Sequence, residues 1–109
     1  MNLHWTRREL EDFSRAGARH YRQSSNVTVC RVLDKFKMFV DASDEGIAPH
    51  LILDGFWESW NTIAMMRLVQ PGMRVVNVGA NFGYFTMLFS ELVGPSGRVI
   101  AVEPQPDVF

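Results

Sequence analysis

The chain has 109 residues, about the size of one domain, and its 47% hydrophobic and 21% charged residues are far from the composition of a disordered chain. Its formal net charge of −1 gives no electrostatic reason to expect nucleic acid or an anionic membrane as a partner. The N-terminus lacks the apolar core of a signal peptide, and no apolar run approaches the length of a membrane span. The composition therefore predicts a soluble, cytoplasmic protein.

The cysteine and histidine residues of the sequence do not predict a metal site. Cys30 is the only cysteine, which excludes an intrachain disulfide and favours a reducing compartment. His4, His20 and His50 do not share the spacing of metal ligands. We therefore predict that the protein holds no metal ion.

The first 54 residues are predicted to form an N-terminal region with one helix and one β-hairpin. Thr6 and Glu9 have the spacing of a capping box, and apolar residues then recur at helical spacing, which predicts a helix over residues 7–20. Apolar and polar residues alternate through 27–29 and again through 36–40, which predicts the hairpin.

Residues 55–109 are predicted to begin an α/β domain. The first helix of this part of the chain is predicted to end at Pro71 and Gly72. A strand over 74–78, a helix over 84–93 and a strand over 98–102 follow. Strand, helix and strand in this order form a βαβ unit, and strands this apolar are expected where helices cover both faces of the sheet. One such unit does not cover both faces of a doubly wound sheet, so we expect the chain to be the N-terminal part of a longer protein.

The turn after the first of these strands contains Gly79, Asn81 and Gly83, and Glu103 follows the second strand. Glycines and asparagine tolerate left-handed backbone geometry, and the amides at a helix N-terminus suit an anionic group. An acidic side chain at the end of the second strand can accept hydrogen bonds from two ribose hydroxyls. Together these residues predict a site for an adenosine-containing cofactor.

Two common nucleotide motifs do not match. The dinucleotide fingerprint requires glycine where this chain has Asn81 and Tyr84, and the P-loop requires a lysine that is absent after Lys37. The site therefore lacks the residues that bind phosphate groups in these motifs. Their absence fits a cofactor that has a sulfonium and a carboxylate in place of a pyrophosphate.

The stretches "VVNVGANFGYFT" and "GRVIAVEPQPDVF" closely resemble the cofactor-binding core of the FkbM-type methyltransferases, a branch of the class I methyltransferases. The similarity extends upstream through "GIAPHLILDGFWESW" and "VQPGM" and covers roughly Lys37 to Phe109. The resemblance implies a Rossmann-like class I fold, of which the chain holds the first βαβ unit, and S-adenosyl-L-methionine as the cofactor.

The resemblance also assigns roles to residues. Gly79, Asn81 and Gly83 would line the methionine part of the cofactor, and Glu103 would hold its ribose hydroxyls. The remaining two candidates are Glu58, in the place of an upstream glutamate typical of the family, and Asn77, where the family usually has aspartate.

The FkbM type is associated with O-methylation of sugar or secondary-metabolite hydroxyls without a required metal, so the resemblance implies a small-molecule or glycan acceptor. No catalytic residue is assigned. The alternatives are a non-catalytic Rossmann-like fragment, a nicotinamide-dependent oxidoreductase fragment, and a purely structural or interaction module. The missing glycines of the dinucleotide fingerprint are evidence against the oxidoreductase.

Overall fold

A computed structural model of the chain describes residues 1–106 and 108, so Asp107 and Phe109, at the end of the FkbM-like stretch, lie outside the described residues. The backbone divides into two compact units, residues 1–63 and residues 64–109. The division into an N-terminal region over 1–54 and a cofactor domain from residue 55 stays a prediction. No helix in the described part of the chain is long and apolar enough to cross a membrane.

The first unit begins with helix α1, Arg7–Gly17. The predicted capping box is confirmed, because the Glu9 amide donates to Thr6 Oγ1 at 3.2 Å and the Thr6 amide donates to Glu9 Oε2 at 2.8 Å. The bond from the Thr6 backbone, together with one from its hydroxyl, lowers the pKa of the Glu9 carboxyl. The predicted helix end at residue 20 is wrong, because the chain turns there into a strand.

That strand belongs to a three-stranded antiparallel sheet of β1 (His20–Arg22), β2 (Val27–Val32) and β3 (Phe36–Asp41), in the order β1-β2-β3. The predicted hairpin is β2 and β3, and it is confirmed. Strand β1 was missed because a strand of three residues carries too little alternation to be recognised, and only pairing with β2 makes it a strand.

Helix α2, Ala48–Leu53, packs against β2 and was not predicted. The Asp44 carboxylate marks its start, since Oδ2 accepts hydrogen bonds from the Ile47 and Ala48 amides, both at 2.8 Å. Pro49 occupies the first turn, where its missing amide costs no hydrogen bond. The core of this unit is formed by apolar side chains that are almost completely buried, chiefly Leu10, Cys30, Val32, Leu33, Met38, Val40, Ala48 and Leu51.

Helix α3, Ser59–Leu68, is the predicted helix that ends before Pro71. In the second unit, β4 (Arg74–Val78), α4 (Tyr84–Val93) and β5 (Arg98–Val102) follow. Strands β4 and β5 pair in parallel, and α4 contacts both strands. The predicted βαβ unit is therefore confirmed and the chain is mixed α/β, while the complete Rossmann-like fold stays a prediction.

The β4–β5 sheet has one half-buried face and one exposed face. Along both strands every second residue is exposed, including Val78 (77% exposed) and Ile100 (52%). The intervening residues are half-buried. Because side chains alternate between the faces of a strand, the described residues cover one face of this sheet and leave an apolar face open. One βαβ unit is not expected to cover both faces, and the expectation that helices cover both faces of the complete sheet stays a prediction.

Burial of Cys30 generates a prediction about alkaline stability. The side chain is 1% exposed, and desolvation raises the pKa of its thiol from 9.0 to about 11. The unfolded chain loses this proton first, so the stabilising effect is complete below pH 9 and disappears as the pH rises towards 11.

We expect Cys30 to remove about 2 kcal/mol of stability between pH 7 and pH 10.5. Urea unfolding of the protein and of Cys30→Ala at both pH values measures this, because all other titrations are shared. An equal loss in both proteins would contradict the burial of the thiol.

Candidate cofactor-binding site

The turn between β4 and α4 holds three of the predicted site residues. Gly79 (φ 76°), Asn81 (φ 53°) and Gly83 (φ 99°) all have positive φ, which glycine adopts freely and asparagine tolerates. The Gly79 and Ala80 amides both donate to the Val102 carbonyl, at 2.8 and 3.0 Å. The turn is therefore fixed to the carboxyl end of β5.

Glu103 lies against the same turn. Its Oε1 accepts a hydrogen bond from the Asn81 amide at 2.7 Å, and its Oε2 accepts one from the Gln105 amide at 3.0 Å. Sequence reasoning placed Glu103 and the glycine turn together, and the structure brings them into contact. Each carboxylate oxygen has a second lone pair, so the side chain can still accept hydrogen bonds from a ligand.

The space around the turn fits a ligand that approaches the main chain. A Cβ atom added to Gly79 or Gly83 would meet no atom within 4 Å. The glycines are thus required by the backbone angles rather than by close packing, and the volume that side chains would fill is open. Gly83 is also the N-cap of α4 and has no side chain to cap the helix amides.

Asn77 lies on β4 beneath the turn, and its Nδ2 donates a hydrogen bond to Thr86 Oγ1 on α4 at 3.0 Å. The sequence analysis assigned no role to Thr86, although it is the last residue of the stretch "VVNVGANFGYFT" that resembles the FkbM type. The pair joins β4 to α4. An aspartate at position 77 could accept the Thr86 hydroxyl proton in the same geometry.

Glu58 is the candidate that comes first in the chain. It lies in the first unit, before α3, and has a positive φ of 42°. Its Oε2 accepts a hydrogen bond from Asn61 Nδ2 at 2.6 Å, which is a local contact at the start of the helix. The five other candidates lie in the second unit. The prediction that Glu58 lies beside the cofactor stays a prediction.

Acidic, histidine and cysteine side chains of the described residues form no group of three that could hold a metal ion. Cys30 is buried as a free thiol in the first unit. The candidate site is therefore built from glycine backbone, two asparagines, a threonine and one carboxylate, which is a donor and acceptor set suited to an organic ligand.

Residues 59–109, just under half of the chain, match the family model of protein-L-isoaspartate(D-aspartate) O-methyltransferase, a family of class I S-adenosylmethionine-dependent methyltransferases. The chain is 48% identical over 40 residues to protein-L-isoaspartate O-methyltransferase 1 of Arabidopsis thaliana, covering 37% of this chain and 17% of that protein. It is 54% identical over 39 residues to the protein-L-isoaspartate O-methyltransferase of Aeropyrum pernix, covering 36% of this chain and 15% of that protein.

The wheat (Triticum aestivum) protein-L-isoaspartate O-methyltransferase is 42% identical over 40 residues, which are 37% of this chain and 17% of that protein. The aligned part of the chain thus spans less than a fifth of the length of these relatives. No solved structure matches significantly. These comparisons support the methyltransferase class, but they do not show the FkbM type that the sequence resemblance implied.

The backbone of the glycine turn generates a prediction. At Gly83 an alanine has space but must adopt a φ of 99°, so we expect Gly83→Ala to lower the free energy of unfolding by about 1–2 kcal/mol. Gly46→Ala is the matched control, because its φ is not positive and its Cβ has no contact closer than 4.0 Å. Urea unfolding of both variants measures the difference, and equal stabilities would show that the turn is not held in this geometry.

Proposed function

We propose that the chain is the cofactor-binding part of an S-adenosylmethionine-dependent methyltransferase. The observation that carries the proposal is the contact between the Glu103 carboxylate and the Asn81 amide, which places an acidic side chain against a glycine turn. The match of residues 59–109 to a methyltransferase family supports it independently.

The residues of the second unit would divide the cofactor between them. Glu103 would accept hydrogen bonds from the ribose hydroxyls, and the open side of Gly79, Asn81 and Gly83 would face the methionine part. When bound, the cofactor supplies a methyl group activated by its positively charged sulfur. The protein's contribution is then mainly to hold donor and acceptor in reactive alignment.

Asn77 and Glu58 differ in the charge that they could offer the cofactor. The Asn77 amide is engaged with Thr86 and carries no charge, so it would stabilise the cofactor's ammonium group less than an aspartate does. Glu58 carries a negative charge that could stabilise the ammonium group, and we propose that it contributes less to cofactor binding than Glu103 does.

For the acceptor we propose a protein carboxylate, as in the names of the matched relatives. A carboxylate with a pKa of about 4 is already ionised at neutral pH, so it attacks a methyl group without a general base. A sugar or secondary-metabolite hydroxyl, implied by the FkbM resemblance, must lose a proton and needs a base. The comparisons favour the carboxylate, because the relatives matched are isoaspartate methyltransferases.

Cofactor binding is tested by calorimetric titration of S-adenosylhomocysteine into the protein and its variants. We expect Glu103→Ala to weaken binding about tenfold or more, because two charge-assisted hydrogen bonds to the ribose are lost. Glu58→Ala should weaken it less. Glu103→Gln separates the two roles of this residue, since its amide oxygen can still accept the Asn81 proton while the charge is gone.

Equal or reversed losses for Glu103 and Glu58 would contradict the assigned site. Tighter binding of a nicotinamide dinucleotide than of S-adenosylhomocysteine would favour the oxidoreductase alternative. A folded protein that binds neither ligand would leave a non-catalytic scaffold.

The acceptor is tested with S-adenosylmethionine labelled in its methyl group. With an isoaspartyl peptide we expect label in a methyl ester, which mild base hydrolyses to volatile methanol, and less label with the matched aspartyl peptide. Transfer to a glycan hydroxyl gives an ether that survives the same treatment. Label that is stable to base would overturn the carboxylate acceptor and restore the hydroxyl acceptor.

A further inference from the structure

One face of the β1-β2-β3 sheet arranges its side chains in two neighbouring rows across the strands. Val29 lies opposite Tyr21 on one side and Phe39 on the other. Arg31 lies opposite Lys37, and its amide donates to the Arg19 carbonyl at 2.9 Å, which extends the second row onto the chain before β1. Residues opposite one another in an antiparallel sheet point to the same face. We call this surface the outer face; it consists of Arg19, Tyr21, Val29, Arg31, Lys37 and Phe39.

Most of the outer face is open to solvent; Val29, between the two aromatic residues, is the exception and is 5% exposed. The intervening side chains on the other face, such as Cys30 and Met38, are buried in the core. On the outer face Tyr21 is 61% exposed and Phe39 is 54% exposed. Large aromatic side chains in such a position gain little for the fold, since most of their surface remains in water.

Positive charge collects beside these rings. A groove of about 380 Å³ on the sheet has four cationic residues in its lining, which consists of Arg19, His20, Tyr21, Val29, Cys30, Arg31, Lys35 and Lys37. Phe39 is not part of this lining. Adjacent strands lie about 4.8 Å apart, so the backbone positions of Arg19, Arg31 and Lys37 span about 10 Å across the sheet. The Arg19 side chain also donates a hydrogen bond to the Gly17 carbonyl at 3.2 Å. Like charges directly opposite one another destabilise a sheet, so folding alone does not account for this row.

The nearby acidic groups neutralise only part of the charge. Asp34 pairs with Arg31 at 3.6 Å. Asp41 lies on the same face as Phe39, in the next row opposite Val27, and accepts hydrogen bonds from Ser43. Within residues 1–106 and 108, neither Arg19 nor Lys37 forms an ion pair. The whole chain has a net charge of −1, so the positive charge of this groove is a local property that the total conceals.

We propose that the outer face binds single-stranded nucleic acid. Unpaired bases stack on exposed aromatic rings, and a sheet that presents such rings beside arginine and lysine is the common solution for binding them. The row of cations would contact the phosphates while Tyr21 and Phe39 stack with bases. An acidic peptide would use the cations but leave the two rings without a partner, and this is why we favour nucleic acid.

The experiment is a fluorescence-anisotropy titration of a labelled ten-nucleotide oligothymidine with the 109-residue protein. We expect saturable binding that weakens as salt is raised, because cations displace condensed counterions from the strand. Tyr21→Ala and Phe39→Ala should each weaken binding about tenfold, while Tyr21→Phe, which keeps the ring, should bind like the original protein.

Lys37→Gln should reduce the dependence of log K on log salt by about 0.7, the value for one phosphate contact on a single strand. Arg8→Gln is the matched control, since Arg8 is an exposed cation on α1 outside the groove, and it should change neither affinity nor slope. Circular dichroism confirms that each variant remains folded; both aromatic substitutions are at exposed positions.

Three results would overturn the proposal. These are no saturable binding by the folded protein, equal affinity for an abasic strand of the same length, and equal affinity for a polyglutamate peptide of the same charge. The last result would identify an acidic protein segment as the partner. The titration contains no S-adenosyl compound, so its outcome is independent of the proposed methyltransferase function.

Discussion

The hydrogen bonds between the end of β5 and the turn after β4 are the constraint on which the candidate site depends. The Gly79 and Ala80 amides share the Val102 carbonyl, and the Asn81 amide is bound by Glu103. Parallel pairing of β4 and β5 brings both carboxyl ends to one edge, where such contacts become available. Without this pairing the glycine turn and the acidic residue, 20 residues and more apart in sequence, would not form one site.

The same pairing creates the open apolar face of the second unit. Both strands present alternate valine or isoleucine side chains to solvent, while α4 contacts the strands and half-buries the intervening positions. Apolar surface of this kind is usually covered in a βαβ protein, and exposed patches promote association. The aligned relatives are several times longer than the matched segment, which makes up 17% of the length of the wheat and Arabidopsis proteins.

The first unit shows how a small net charge can hide a specific surface. The register in which β1, β2 and β3 pair makes neighbours of Arg19 and Arg31, which are 12 residues apart along the chain. It does the same for Arg31 and Lys37, which are six residues apart. A shift of one residue would move these side chains to the core face, and burying them there would be prohibitive. The register that builds the core with Cys30, Val32 and Met38 therefore also determines the composition of the outer face.

Local sequence determined the elements whose signals are local: the Thr6–Glu9 capping box, the β2–β3 hairpin, and β4, α4 and β5, whose bounds agree with the prediction. Spacing alone also related Glu103 to Gly79, Asn81 and Gly83. Tertiary structure decided the short strand β1, the role of Thr86 as the partner of Asn77, and the cationic groove. Capping and alternation depend on residues a few positions apart, whereas strand pairing, burial and the summation of charge depend on which distant residues the fold brings together.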